Sequence, residues 1–150
     1  MAVVVVQAEE QATLSRLSQT DALTGLLNRR GFEARLKAAV AAACTTGSGG
    51  ALVYVDLDNF KQINDRYGHA QGDAALRAAA DVLRGSFRGG DLVARMGGDE
   101  FAAWMSGVAE GEASRRGQAL VQAAVALQRF APDAERKIGF SVGVAVLRPG

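Results

Sequence analysis

The stretch "DLVARMGGDEFAAWM", residues 91–105, decides how this chain is read. "DLVARM" and "FAAWM" are short apolar runs on either side of "GGDE", the spacing of a β-hairpin. Asp99 and Glu100 then sit at its tip. Gly97 and Gly98 suit that place, because a two-residue turn often needs φ > 0 and a ligand nearing the backbone needs side chains out of its way. Upstream, "ALVYV", 51–55, reads as a buried strand that ends at Asp56. The alanine-rich "GDAALRAAADVLRGSF", 72–87, reads as a helix with Leu76, Ala79, Ala80 and Leu83 on its inner face. Downstream, "EGEASRRGQALVQAAVALQRF" is a further helix. "KIGFSVGVAVL" alternates: Ile138, Phe140, Val142, Val144 and Val146 share one face, and Gly139, Ser141, Gly143 and Ala145 the other. The small face predicts that something packs close to that strand. Strand, helices, strand, strand, helix, strand is the β-α-β-β-α-β order of a ferredoxin-like α+β fold. In it the first strand and the hairpin are neighbours, so Asp56 and the Asp99–Glu100 pair meet at one sheet edge.

Composition narrows the chemistry. The chain has 150 residues, 49% of them hydrophobic, so one domain with a sizeable core is expected. Seventeen basic and 16 acidic residues balance to +1, which argues against a chain built mainly for nucleic acid or an anionic membrane surface. Cys44 is the only cysteine and His69 the only histidine, so disulfides, thiolate metal clusters and multi-imidazole sites are excluded within the chain. No run approaches a membrane span, and "MAVVVV" lacks the basic n-region of a signal peptide, so a cytoplasmic domain is expected. "TTGSGG", 45–50, reads as a loop without the lysine of a P-loop, and no GxGxxG occurs. From Gln7 to Gln19 the chain reads as a polar helix whose Leu14 and Leu17 form a narrow seam: a stalk over residues 1–19, or a plain surface helix. The next helix is predicted to start near Thr20 or Asp21, either of which can cap it, with Phe32, Leu36 and Val40 on one face.

Three converging carboxylates repel one another unless a cation sits among them. Their hard oxygens suit Mg2+ or Mn2+, and magnesium usually works on phosphates, so a nucleotide substrate follows. The bland alternative is a solvated acidic turn. "DLDNFKQINDRYGHAQGD", 56–73, weakens it. Lys61 lies one helical turn past the strand, placed for phosphate. Asn64 and Asp73 together can read a purine edge, since a carboxylate accepts from guanine N1–H and N2–H2. Taken singly, Lys61 is also an ordinary surface lysine, Asn64 a helix-end cap and His69 a partner for its own loop.

Three motifs in register, "DALTGLLNRRGF" (21–32), "VDLDNFKQINDRYGHAQGD" (55–73) and "RGGDLVARMGGDEF" (88–101), resemble the GGDEF domains of the diguanylate cyclase family, and "FSVGVAV" resembles their late strand. The likeness covers roughly residues 20 to 147 and implies a nucleotidyl-cyclase palm. It implies that Asp56, the Leu57 carbonyl, Asp99 and Glu100 hold two divalent cations. It implies that Asn64 and Asp73 bind guanine with Leu23 near the base, that His69 supports the pocket and Phe60 forms its wall. Lys61 and Arg95 would touch phosphates, beside Gly97 and Gly98. Asp99, Glu100 and Lys61 would be the catalytic residues, with base and ligand roles not separated. The implied reaction joins two GTP into cyclic di-GMP and two pyrophosphates, each subunit of a homodimer presenting one GTP, under an upstream sensory domain. Arg88 and Asp91, an RxxD before the hairpin, would form an allosteric product site; a tight turn with a local ion pair is the plain alternative.

Family domains continue past the late strand into a helix with an "ALYxAKxxGRN"-like stretch that brings a lysine and an arginine to the triphosphate. These 150 residues end at "VLRPG", so the chain alone is expected to be a weak or inactive cyclase and a monomer. Two other readings stand beside the enzyme: a receptor of cyclic di-GMP and a GTP-binding regulatory module. The intact acids of "GGDEF" favour the enzyme.

Overall fold

The computed structural model describes residues 18–149. The expected stalk falls mostly on residues 1–17, outside the described residues. Strand β1 (Gly50–Leu57) is followed by helices α2 (Phe60–Tyr67) and α3 (His69–Ser86). The hairpin comes next, β2 (Leu92–Gly97) and β3 (Glu100–Ser106), then α4 (Glu110–Ala123), a 3-10 helix (Ala124–Phe130) and β4 (Phe140–Leu147). Helix α1 (Arg29–Thr46) precedes them all. The sheet order is β2-β3-β1-β4 with every neighbouring pair antiparallel, the ferredoxin-like arrangement expected from the order of elements.

Helices α3 and α4 and the 3-10 helix bury one face of the sheet, where Val53, Val55, Phe101, Met105 and Phe140 pack against Leu76, Leu83 and Leu120. On the other face α1 covers mainly the β2–β3 side, setting Phe32, Leu36 and Val40 against Ala94, Ala102 and Trp104. The strand expected to be buried is therefore half open: Tyr54 and Asp56 of β1 face solvent. The same gap corrects the expectation for β4. No described element packs on Ser141, Gly143 and Ala145, and a Cβ on Gly143 would meet nothing. These small residues floor an open cleft instead of a packed contact.

Helix α1 starts later than predicted. Its cap is Asn28, whose Oδ1 accepts the Gly31 N–H at 2.8 Å. Asp21 caps a turn instead, accepting from Thr24 N at 3.0 Å and Thr24 Oγ1 at 2.7 Å. The residues between lie along the outer edge of β2, where Leu27 N donates to Val93 O and Arg95 N to Leu27 O. An edge strand with its ladder half paired is protected from pairing with other chains. No helix among the described residues is long and apolar enough to cross a membrane.

Candidate active site

The hairpin tip is built by glycine geometry. Gly97 has φ +146 and Gly98 φ +51, conformations that side chains disfavour, and the register slips between Arg95 and Gly97. The turn delivers Glu100 directly opposite Asp56, which in turn faces Ser141 on β4. Asp56 and Glu100 thus meet at the ends of two central strands, β1 and β3, and not at an outer edge of the sheet. Leu57 N donates to Asp99 O at 3.1 Å, clasping the turn to the end of β1.

Directly opposed residues of an antiparallel pair have Cβ atoms about 4.5–5.5 Å apart, so two exposed carboxylates lie side by side. No described lysine or arginine comes within ion-pair distance of Asp56, Asp58, Asp99 or Glu100. Among the described residues no three acidic or thiol or imidazole side chains converge closely enough to hold an ion unaided. The arrangement is a carboxylate pair with Asp99 beside it. Its unneutralised, all-oxygen donor set still fits a hard divalent cation. A cleft of about 460 Å³ opens beside the pair, lined by Tyr54, Ser141 and Gly143 as well as the two acids. Ser141 Oγ donates to Asp58 Oδ1 at 2.6 Å, which turns Asp58 toward β4.

A second group of predicted residues gathers on α2 and α3. Asn64 Oδ1 is the one buried side-chain polar atom without a partner among the described residues. It lies against Gly72, where an added Cβ would overlap it and would stand 2.9 Å from Asn64 Cγ and 3.4 Å from the Phe60 ring. Asp73 follows Gly72 and is half-buried; Leu23 and Phe60 both pack against the main core. Lys61 is exposed on the first turn of α2, without an ion pair among the described residues, and His69 is exposed at the start of α3.

Arg95, expected at phosphate, is held by protein partners. Its Nε donates to the Gly98 carbonyl at 3.0 Å and its Nη1 to Asp21 Oδ1 at 3.3 Å, and the pair is mostly shielded from solvent. Protein partners take these donors, so the guanidinium holds the turn and the Asp21 loop together.

Arg88 and Asp91 lie at the far end of β2 from the tip, roughly 20 Å away for a strand of six residues. They form the tight turn: Arg88 N donates to Asp91 Oδ2 at 2.9 Å and Asp91 N to Arg88 O at 3.0 Å. Helix α4 adds two residues that sequence reasoning missed, Glu112 and Arg116. No sequence signal marked them, since their approach depends on how α4 crosses the sheet. Tyr54 and Ser141 were findable, each being placed on Asp56's face by strand alternation and register.

The fold is an antiparallel palm with paired carboxylates at its strand ends. The profile of the family described as "Diguanylate cyclase, GGDEF domain" matches residues 18–150, and the chain belongs to that family. The diguanylate cyclase TpbB of Pseudomonas aeruginosa is 38% identical over 139 residues, which are 92% of this chain and 32% of TpbB. The diguanylate cyclase DgcS of Shewanella oneidensis is 42% identical over 103 residues, 69% of this chain and 35% of DgcS. The chain therefore spans about a third of the length of these relatives. The coiled coil and GGDEF domain of DgcB from Caulobacter crescentus, solved in complex with c-di-GMP, superposes with a TM-score of 0.76 at 30% identity. That match covers 99% of this chain and 80% of DgcB's.

Proposed function

We infer that this domain is a diguanylate cyclase that joins two GTP into cyclic di-GMP with release of two pyrophosphates. The observation that carries the reading is the Asp56–Glu100 pair: two opposed carboxylates at an open cleft that no described cation neutralises. Asp56, the Leu57 carbonyl, Asp99 and Glu100 are the residues that would hold two Mg2+ or Mn2+, which supply Lewis acidity to the attacking 3′-hydroxyl and the leaving pyrophosphate. Lys61, exposed on the first turn of α2, offers the phosphates an ammonium. Asn64, with one acceptor and two donors, and the Asp73 carboxylate, accepting from guanine N1–H and N2–H2, together read the base edge. Leu23 and Phe60 wall the base, and His69 borders the same pocket. A GTP held in one subunit of a two-fold dimer presents its 3′-hydroxyl to the α-phosphorus of the other, so both half-reactions use the same residues. Arg88 and Asp91 form a separate product site. Relatives solved with c-di-GMP, and a neighbour described as a sensory box/GGDEF family protein, support the ligand and an upstream sensory domain.

The test is cyclic di-GMP formation from GTP and Mg2+, followed by chromatography for hours so that slow turnover registers. Wild type is expected to form product and Glu100→Ala none. Equal product from Glu100→Ala would overturn the Asp56–Glu100 reading, and no product from the parent protein would overturn the cyclase reading and leave a nucleotide-binding module.

A further inference from the structure

A chain of alternating charges runs where α4 passes the start of β2. Arg88 Nη2 lies 3.8 Å from Glu112 Oε1, and Arg116 Nη1 lies 3.9 Å from the same oxygen. Arg116 Nη2 then lies 3.9 Å from Asp91 Oδ2, and Arg88 Nε lies 4.0 Å from it. The four members differ in how firmly they are held. The Asp91 side chain is 7% exposed, and Arg116 is anchored by donating to Ser86 O at 2.7 Å and by stacking 5.6 Å from the Phe87 ring centre. Arg88 and Glu112 are 57% and 39% exposed, with no other side-chain anchor than this network. The contact between them is the soft joint.

Beside Arg88 a groove of about 430 Å³, lined also by Arg35, Arg84 and Asp91, gives room for a phosphodiester, although Arg84 is already paired with Asp81 at 2.8 Å. The Arg88 guanidinium is the group that would clamp a phosphate or a guanine edge there. Glu112 already sits on it. Glu112 also stands in the first turn of α4, where a carboxylate is favoured by the exposed N–H groups of the helix end, so it keeps a favourable position after letting go.

We propose that Glu112 is a built-in competitor at the Arg88–Asp91 site: its carboxylate occupies the Arg88 guanidinium, and anionic product binds by displacing it. This rests on the reading of Arg88 and Asp91 as a product site. Exposed pairs of this kind are weak, so Glu112 raises the product concentration at which the site fills and does not close it.

Calorimetric titration of cyclic di-GMP into wild type, Glu112→Gln, Glu110→Gln and Arg88→Ala tests this, with a thermal melt on each variant. Glu110 removes the same charge from the same helix turn but pairs with Arg148 at 3.6 Å instead of Arg88. The expected result is a roughly two- to fivefold gain in affinity for Glu112→Gln. Glu110→Gln should stay within error of wild type, and Arg88→Ala should lose binding. Equal gains in Glu112→Gln and Glu110→Gln would mean a general charge effect and overturn the competitor. So would a Glu112→Gln that melts as wild type yet binds no tighter while Arg88→Ala still loses binding, and the product site would then stand without it. Wild-type affinity in Arg88→Ala would overturn the product site itself.

Discussion

Gly72 has no room for a side chain. Helix propensity alone makes alanine better than glycine inside α3 by about 1 kcal/mol. Here an alanine Cβ would overlap Asn64 Oδ1, so the amide must rotate away. Gly72→Ala is therefore expected to keep the fold and to lose GTP affinity by about 1–3 kcal/mol, the cost of a buried acceptor left mismatched. Calorimetry with GTP and ATP checks it: wild type should prefer GTP, because adenine lacks the N2 donor, and the variant should lose that preference. A Gly72→Ala protein that binds GTP as wild type would remove Asn64 from base recognition. At the carboxylate pair the sign is reversed. Directly opposed like charges destabilise a sheet, so Asp56→Ala or Glu100→Ala should leave the melting temperature unchanged or slightly raised while abolishing turnover. A clear fall in melting temperature would give the acids a structural task instead.

The Asp21 loop and the hairpin tip are separate elements joined by Arg95. Its donors reach both the Gly98 carbonyl and the Asp21 carboxylate, so Arg95→Ala should loosen the two together. A double-mutant cycle on stability with Asp21→Ala is expected to show a coupling of about 1 kcal/mol, as for a contacting, partly shielded pair. Zero coupling together with weakened GTP binding would return Arg95 to phosphate. Asn28 does a simpler thing for α1. Asn28→Ala removes the acceptor of the Gly31 N–H and should cost ~1 kcal/mol in a denaturant melt, without altering GTP affinity. A loss of affinity would mean that the angle of α1 is transmitted to the site.

At the scale of the whole molecule, the proposed reaction, with one GTP on each of two copies, should depend on how often two copies meet. Specific activity is expected to rise with protein concentration and to level off once dimer saturates; a rate strictly proportional to concentration from the lowest dilution would contradict a dimeric site. Much of this molecule was legible beforehand. Alternation in "KIGFSVGVAVL", the helical period of 72–87 and the glycine turn at 97–98 are local, so the element order and the place of the acids at the hairpin tip followed from neighbours in the chain. Asp56, Asn64, Asp73 and Glu100 could be nominated because each belongs to a short motif. Contacts between elements far apart in sequence were not legible. Arg95's pairing with Asp21 and Arg116's approach to Asp91 depend on where a helix or loop crosses the sheet, which no local period encodes. The open floor at Gly143 has the same origin: its small face was visible in the strand, but α1 lies mainly over β2 and β3, and no other described element covers the cleft.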